Sequence, residues 1–340
     1  MTGPIALATD IKAPRVWTHR PKLLEPKREI LLPMRLRGRF RLSAIGRDGV
    51  TVRRQTRWID NLITNTGLDL CASDNTPFPQ CKVGTDNTAP AATDTALGAQ
   101  VATTSTQTSV GRTVNGSSPF DNHSTVVYRF AQGAAEGNLA EVGVGTGDAT
   151  LFSRALIVDG GGSPTTFPVA ADEFLDVAYE LIVYPPLVDD VDSITITGSG
   201  SHDTTLRASN LAWARGLYTG GGFIATADDG GSNNGINAYD GAIGAVTGSP
   251  AGSVDGGNNA SDGAYTPGNF FRDTTWSFGL DDGNFAGGIQ SVAVFWGNSQ
   301  PVSVAERQSM EFQCEFDPAI PKDNTAQLSL VFRLAWARTT

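Results

Sequence analysis

Asn138-Leu-Ala-Glu-Val-Gly-Val-Gly145, Leu151-Phe-Ser-Arg-Ala-Leu-Ile157 and Leu175-Asp-Val-Ala-Tyr-Glu-Leu-Ile-Val-Tyr184 decide the fold class. Each run alternates apolar and mixed positions, and Gly-rich or Pro-containing turns separate them. A period of two matches a pleated strand, whose successive side chains face opposite sides, so the three read as one half-buried antiparallel unit.

The same order returns near the C-terminus. Trp276-Ser-Phe278 echoes Tyr128-Arg-Phe130, Ile289-Gln-Ser-Val-Ala-Val294 echoes Leu139 to Val144, and Leu328 to Trp336 echoes Leu175 to Val183. Asn61-Leu-Ile-Thr-Asn-Thr-Gly67-Leu68 returns as Asn210-Leu-Ala-Trp-Ala-Arg-Gly216-Leu217. The four matches are collinear at offsets of 148, 150, 153 and 149, which points to an internal duplication of a whole domain rather than a solenoid repeat. Chance recurrence of Gly-Leu and alternating strands in an all-β chain is the competing explanation.

The 340 residues suffice for two cores of ordinary domain size. With Gly 39 and Pro 18, turn chemistry recurs every few residues and leaves little room for long helices. No run of 18 apolar residues and no basic-then-apolar leader is found, so neither a membrane span nor classical export is expected. Cys71, Cys81 and Cys314 match no zinc spacing; Cys71 and Cys81 can close one loop, or all three stay as thiols. The net charge of −10 is uneven: residues 1–60 hold 14 Lys/Arg against 5 Asp/Glu, leaving 11 against 30 for the remainder.

Residues 1–34 contain Pro4, Pro14, Pro21, Pro26 and Pro33, which excludes helix interiors and removes sheet donors, so this reads as an extended arm. Trp17 and the Leu and Ile residues around it call for an apolar surface, on a partner subunit or on the chain's own body; the other outcome is an unstructured tail. Arg35-Leu-Arg-Gly-Arg-Phe-Arg-Leu42 alternates as a strand, turns at Asp48-Gly49 and returns through Val50 to Ile59. The row formed by Arg35, Arg37, Arg39 and Arg41, with Arg53, lacks interleaved stacking aromatics. A protein partner with an acidic surface is therefore expected ahead of nucleic acid. Asp60 to Asp69 reads as a short helix capped by Asp60 or Asn61 and stopped by Gly67. In the second half Ser193–Gly198 and Thr204–Ala208 read as strands, and 219–222, 228–235 and 252–263 as Gly/Asn-rich loops.

Trp58-Ile-Asp-Asn-Leu-Ile-Thr-Asn-Thr-Gly-Leu-Asp69, Val83-Gly-Thr-Asp-Asn-Thr-Ala-Pro90 with Thr93-Asp-Thr-Ala-Leu97, and Glu141-Val-Gly-Val144 with Leu151-Phe-Ser-Arg-Ala-Leu156 together resemble a loose family of tailed-bacteriophage virion proteins of the tail and its appendages. The resemblance covers about residues 37–184 and carries no catalytic residues. It implies a structural role in a virus particle, assembled in the host cytoplasm.

The residues offer little chemistry beyond that. Gly198-Ser-Gly-Ser-His-Asp203 sets Ser, His and Asp side by side, but a triad converges from separate elements, so a polar turn is expected. Glu136, Glu141, Glu173 and Glu180 would matter as a glycosidase pair only if two stood at the right separation. Asp189-Asp-Val-Asp192 and Asp228-Asp229 lack the full ligand order of a calcium loop. The expectation is therefore no enzyme, no cofactor and no metal. The fold expected is all-β, with two tandem related β-sandwich, jelly-roll-like domains: arm 1–34, first domain 35–186, second domain 187–340. The function expected is structural: a tail tip, baseplate or fibre adaptor that assembles as a homo-oligomer, trimer or hexamer, with other virion proteins. A trimer of duplicated chains would present six quasi-equivalent positions. Capsid or collar decoration is one alternative. Host-glycan recognition through Tyr218, Tyr239 and Tyr265 is another, and neither membrane nor nucleic acid is an expected partner.

Overall fold

The computed structural model describes residues 22–72, 77–115, 117–118, 120–186, 188–209, 235–246, 248–257, 259–298 and 308–339. From the N-terminus these form β1 (Lys22–Leu24), β2 (Ile30–Ile45), β3 (Val52–Gln55), β4 (Ile59–Asp60), β5 (Leu62–Ile63), a short helix α1 (Asn65–Leu70), β6 (Gln80–Gly84), β7 (Gln100–Thr104) and β8 (Gln107–Asn115). Then come β9 (Asp121–Phe130), β10 (Gly137–Leu139), β11 (Glu141–Gly147), β12 (Thr150–Leu156), β13 (Phe167–Val169) and β14 (Phe174–Tyr184). The second half contains β15 (Asp190–Ile196), β16 (Gly200–Ser209), β17 (Ile236–Tyr239), β18 (Val254–Gly257), β19 (Asn259–Asp262), β20 (Phe271–Phe278), β21 (Ile289–Asn298), β22 (Gln308–Ile320) and β23 (Ala326–Arg338). The chain is all-β, as its alternation requires.

A ten-stranded floor runs β19-β20-β23-β2-β14-β9-β8, with β1, β3 and β4 attached off this path. Above it lie a five-stranded sheet, β5-β12-β11-β6-β7, and a six-stranded sheet, β15-β16-β22-β21-β17-β18. The sequence echoes fall on equivalent places. Phe130 lies opposite Leu175 and Tyr128 opposite Val177, as Phe278 lies opposite Leu328 and Trp276 opposite Leu330. In the upper sheets Val142 and Val144 face Val83 and Cys81, as Val292 and Val294 face Ala238 and Ile236. The echo at 210–217 lies outside the described residues.

The halves share the floor rather than meeting only through a linker. Residues 35–45 of β2 pair antiparallel with β14, while residues 30–36 pair parallel with β23. β14 and β23 therefore run in opposite directions on either side of β2, related by a rotation about an axis normal to the floor. The residues expected to form an arm contribute to this sheet from Lys22 onward, because β1 also pairs with β23, and β2 runs through the 34/35 position without a break.

The alternation in β2 explains why one strand serves both halves. Ile30, Leu32, Met34, Leu36, Phe40 and Leu42 are all buried on one face, while Leu31, Pro33 and Arg35 are exposed on the other. Both upper sheets thus pack on the same side of the floor. Pro33 lacks a donor, yet pairing with β14 begins only at Arg35, so Pro33 has just β23 beside it. Under the first half Phe40, Phe78, Phe152 and Tyr179 pack edge to face or tilted, with centroids 4.8 to 6.3 Å apart. Such pairs add about 0.5–1.5 kcal/mol each beyond burial.

Two expectations change. Val254–Gly257 and Asn259–Asp262, read as loop, are strands at sheet edges, where one neighbour suffices and no buried face is needed. Gly67 does not stop the helix: α1 is capped by Thr64, whose side chain accepts from the Gly67 N–H, and runs on to Leu70. A Cβ on Gly67 would collide with the backbone carbonyl of Phe152. Helix propensity alone gives Gly67→Ala a gain of about 1 kcal/mol. The close approach instead predicts a lower midpoint in urea denaturation, and a raised midpoint would contradict this packing.

Candidate interaction surface

Residues of the 83–97, 141–144 and 151–156 segments meet in space. Arg154, on β12 and 3% exposed, donates from Nε to Glu141 Oε2 at 2.8 Å. One terminal nitrogen donates to Asp94 at 2.8 Å, and the other to Asp86 at 3.0 Å and to the Thr88 carbonyl at 3.1 Å. Glu141, fully buried on β11, also accepts from the backbone N–H groups of Gly98 at 3.1 Å and Ala99 at 2.8 Å. One guanidinium and one carboxylate thereby fix the loop from Thr85 to Ala99 against the five-stranded sheet. Buried charges persist only when paired and hydrogen-bonded, and here each of the three nitrogens of the Arg154 fork has an acceptor.

The outward face of the floor is a lattice of charges built by cross-strand register. Glu180 on β14 stands between Arg39 on β2 and Thr125 on β9, and pairs with Arg39. Arg37 pairs with Asp60 at 2.7 Å, and Arg129 grips Asp176 through two bonds of 2.7 Å. Arg53 lies 3.6 Å from Asp172 and 3.7 Å from Glu173, which also receives Arg54. The guanidinium carbons of Arg39 and Arg41 each lie 4.7 Å from the centre of the Trp58 ring. Arg35 is exposed and borders a hollow of about 400 Å³ with Pro33, Tyr184, Pro185 and Pro186. Part of the acidic surface sought by the arginine row is thus supplied by the chain itself. The exposed pairs, Arg37–Asp60 and Arg53–Asp172, contribute at most about 1 kcal/mol each and have more to offer in recognition than in stability, whereas Glu173 and Glu180 are buried beneath their arginines.

The other candidates separate widely. Trp17 and Tyr218 lie outside the described residues. Tyr239 is buried, and Tyr265 is half-buried, stacked 5.8 Å from Trp336 and donating to Asp69 at 2.5 Å. Tyr239 is thereby closed to a sugar, and Tyr265 has one ring face taken by Trp336. Ser199 and His202 do approach, at 2.8 Å, with the other ring nitrogen of His202 held 2.6 Å from the Pro318 carbonyl, and the pair locks the turn between β15 and β16. Glu141, Glu173 and Glu180 are bound to arginines, Asp189 to Arg207 and Asp192 to Arg28. Asp228 and Asp229 lie outside the described residues. Among the described residues no group of three or more His, Cys, Asp or Glu is arranged to hold a metal, no helix is long and apolar enough to cross a membrane, and the three cysteines are buried thiols. Sequence reasoning missed the Arg154 network, although an arginine inside an apolar strand was a sign of a buried carboxylate partner.

Replacing Arg154 by Met leaves three carboxylates facing one another without a cation, and a loss of about 3–5 kcal/mol is expected in chemical denaturation. Arg154→Lys, which keeps the charge but not the fork, should lose less, and equal losses would contradict the geometry. His123 lies 3.4 Å from Glu180 and 3.0 Å from Asp121. The hydrogen bond to Glu180 foremost, opposed by burial and helped by the charges of both acids, raises its pKa. A raised folded-state pKa stabilises fully below the ordinary histidine value of about 6.5, and that stabilisation is lost as pH rises through the raised value. The stability difference between the wild type and His123→Gln should therefore shrink from acid toward alkaline pH, whereas a constant difference would contradict it. No family model matches the chain, and neither the curated proteins nor the solved structures include a match to it.

Proposed function

We propose that this chain is an architectural component of a tailed-phage particle, tail-associated and working as a homo-oligomer in contact with other virion proteins. The observation that carries the reading is the convergence of Asp86, Asp94, Glu141 and Arg154. These residues lie in the segments that resemble phage virion proteins, and their side chains are committed to holding a loop on a sandwich. A pattern of that kind preserves a scaffold. The outer face of the floor, with charges of both signs at fixed strand spacings, supports a role in docking against protein.

The test is mass-spectrometric identification of the chain in gradient-purified particles from lysed host cultures, together with light scattering of the purified protein at low and high salt. The expected result is a stoichiometric virion component that forms a salt-resistant trimer or hexamer. Its absence from purified particles would overturn the reading.

A further inference from the structure

On each flank of the molecule both layers end in a strand that, among the described residues, has one neighbour. One flank presents β7 of the five-stranded sheet and β8 of the floor; the other presents β18 of the six-stranded sheet and β19 of the floor. In both places the chain steps directly between layers, with only Ser105 and Thr106 between β7 and β8, and only residue 258 between β18 and β19. The inner edges are treated differently. β15 is covered by the N-terminal segment, through a Pro26–Ile196 bridge and backbone bonds from Thr197 N–H to Glu25 at 2.8 Å and from Lys27 N–H to Thr195 at 2.9 Å. The edge of β23 is covered by β1 and β2.

We propose that the β7/β8 flank of one copy pairs with the β18/β19 flank of a second copy, β8 against β19 and β7 against β18. The proposal rests on the assembly reading above and names its contact. Three observations support it. The first is direction: following the pairings outward from β2, β8 and β19 run oppositely, so copies set side by side in one orientation meet antiparallel. The second is the lack of edge protection. β8 has nine residues with no Pro, Lys, Asp or Glu, and consecutive residues from Gln107 to Gly111 are exposed, so both of its faces are bare. Natural edges are normally blunted by such residues or covered. The third is complementarity. Arg112 is the only charged residue in 100–115, whereas 253–262 holds no base and two acids, Asp255, which accepts from the Gly283 N–H at 2.7 Å, and Asp262, which accepts from the Thr274 hydroxyl at 2.6 Å. Val101 and Val110 on one flank and Val254 on the other are 44%, 39% and 58% exposed, leaving apolar surface on both sides.

The contact joins two different flanks, so it is heterologous, and it closes into a ring or continues as a filament. The floors of successive copies then form one continuous wall of strands, with every upper sheet on the same side.

The three native cysteines are buried, so introduced thiols can be read without interference. The experiment is oxidation, or treatment with a short thiol crosslinker, of the full chain carrying Ser109→Cys, Ser261→Cys or both, followed by denaturing gels. The expected result is a ladder of dimers and higher species from the double variant and none from either single one. Dimers from Ser109→Cys alone would mean that β8 pairs with its own copy, which overturns the proposal. In parallel, Thr108→Lys with Val110→Lys guards the edge at exposed positions. Light scattering should then show the oligomer reduced to monomer with an unchanged circular dichroism spectrum. An oligomer that survives the lysines and yields no ladder overturns this contact but leaves the assembly reading standing. A monomeric wild type that is also absent from particles removes both.

Discussion

The fold depends on the main-chain pairing of β2. Eleven of its residues pair antiparallel with β14 and seven parallel with β23, the two sets overlapping at Arg35 and Leu36. A strand can take a neighbour on each side, but here the handover occurs along its length. The first half-floor is complete only with the later part of the strand, and the second only with its beginning. The two halves each bring their own upper sheet, yet among the described residues β2 has no counterpart in the second half. One segment closes the inner edge of both.

Buried polar chemistry then fixes what the apolar layers leave undecided. Layers of Val, Leu and Phe favour collapse but not one loop conformation. The Arg154–Glu141 pair, with Asp86 and Asp94, selects the path of the 85–99 loop, since another path would strip the buried Arg154 of Asp86, Asp94 and the Thr88 carbonyl, and the buried Glu141 of the Gly98 and Ala99 N–H groups. In the second half a different device serves: Gln313, fully buried on β22, accepts from Gly244 N–H at 2.7 Å and donates to the carbonyls of Ala245 and Gly248. The two halves share topology, while each secures its loops with its own residues.

How much of this was legible follows from what a linear pattern encodes. Alternation in 35–42, 175–183 and 328–336 specifies which side chains are buried, and those strands and their buried faces follow, whereas 30–34 reads as arm. It does not specify which strand lies alongside, so the double pairing of β2 and the shared floor were not readable. The edge strands at 254–257 and 259–262 were hidden because Gly, Asn and Asp there give no apolar alternation, and only Ala260 packs against the core. Gly67 signalled a helix end, although its role is to let the helix backbone approach Phe152, a demand set by a partner about eighty residues away. The arginine row was visible as charge, but its carboxylates on β4, β14 and the 172–173 turn came into view only with the register.

Hydrogen exchange of the backbone amides in rising urea tests the central claim most directly, because it reads the opening of β14, β2 and β23 separately in one sample. If β2 makes the floor one cooperative unit, amides of β14 and β23 lose protection together with those of β2 in a single transition. If β20 and β23 open at lower urea while β9, β14 and β2 stay protected, the halves are independent and β2 does not unite them.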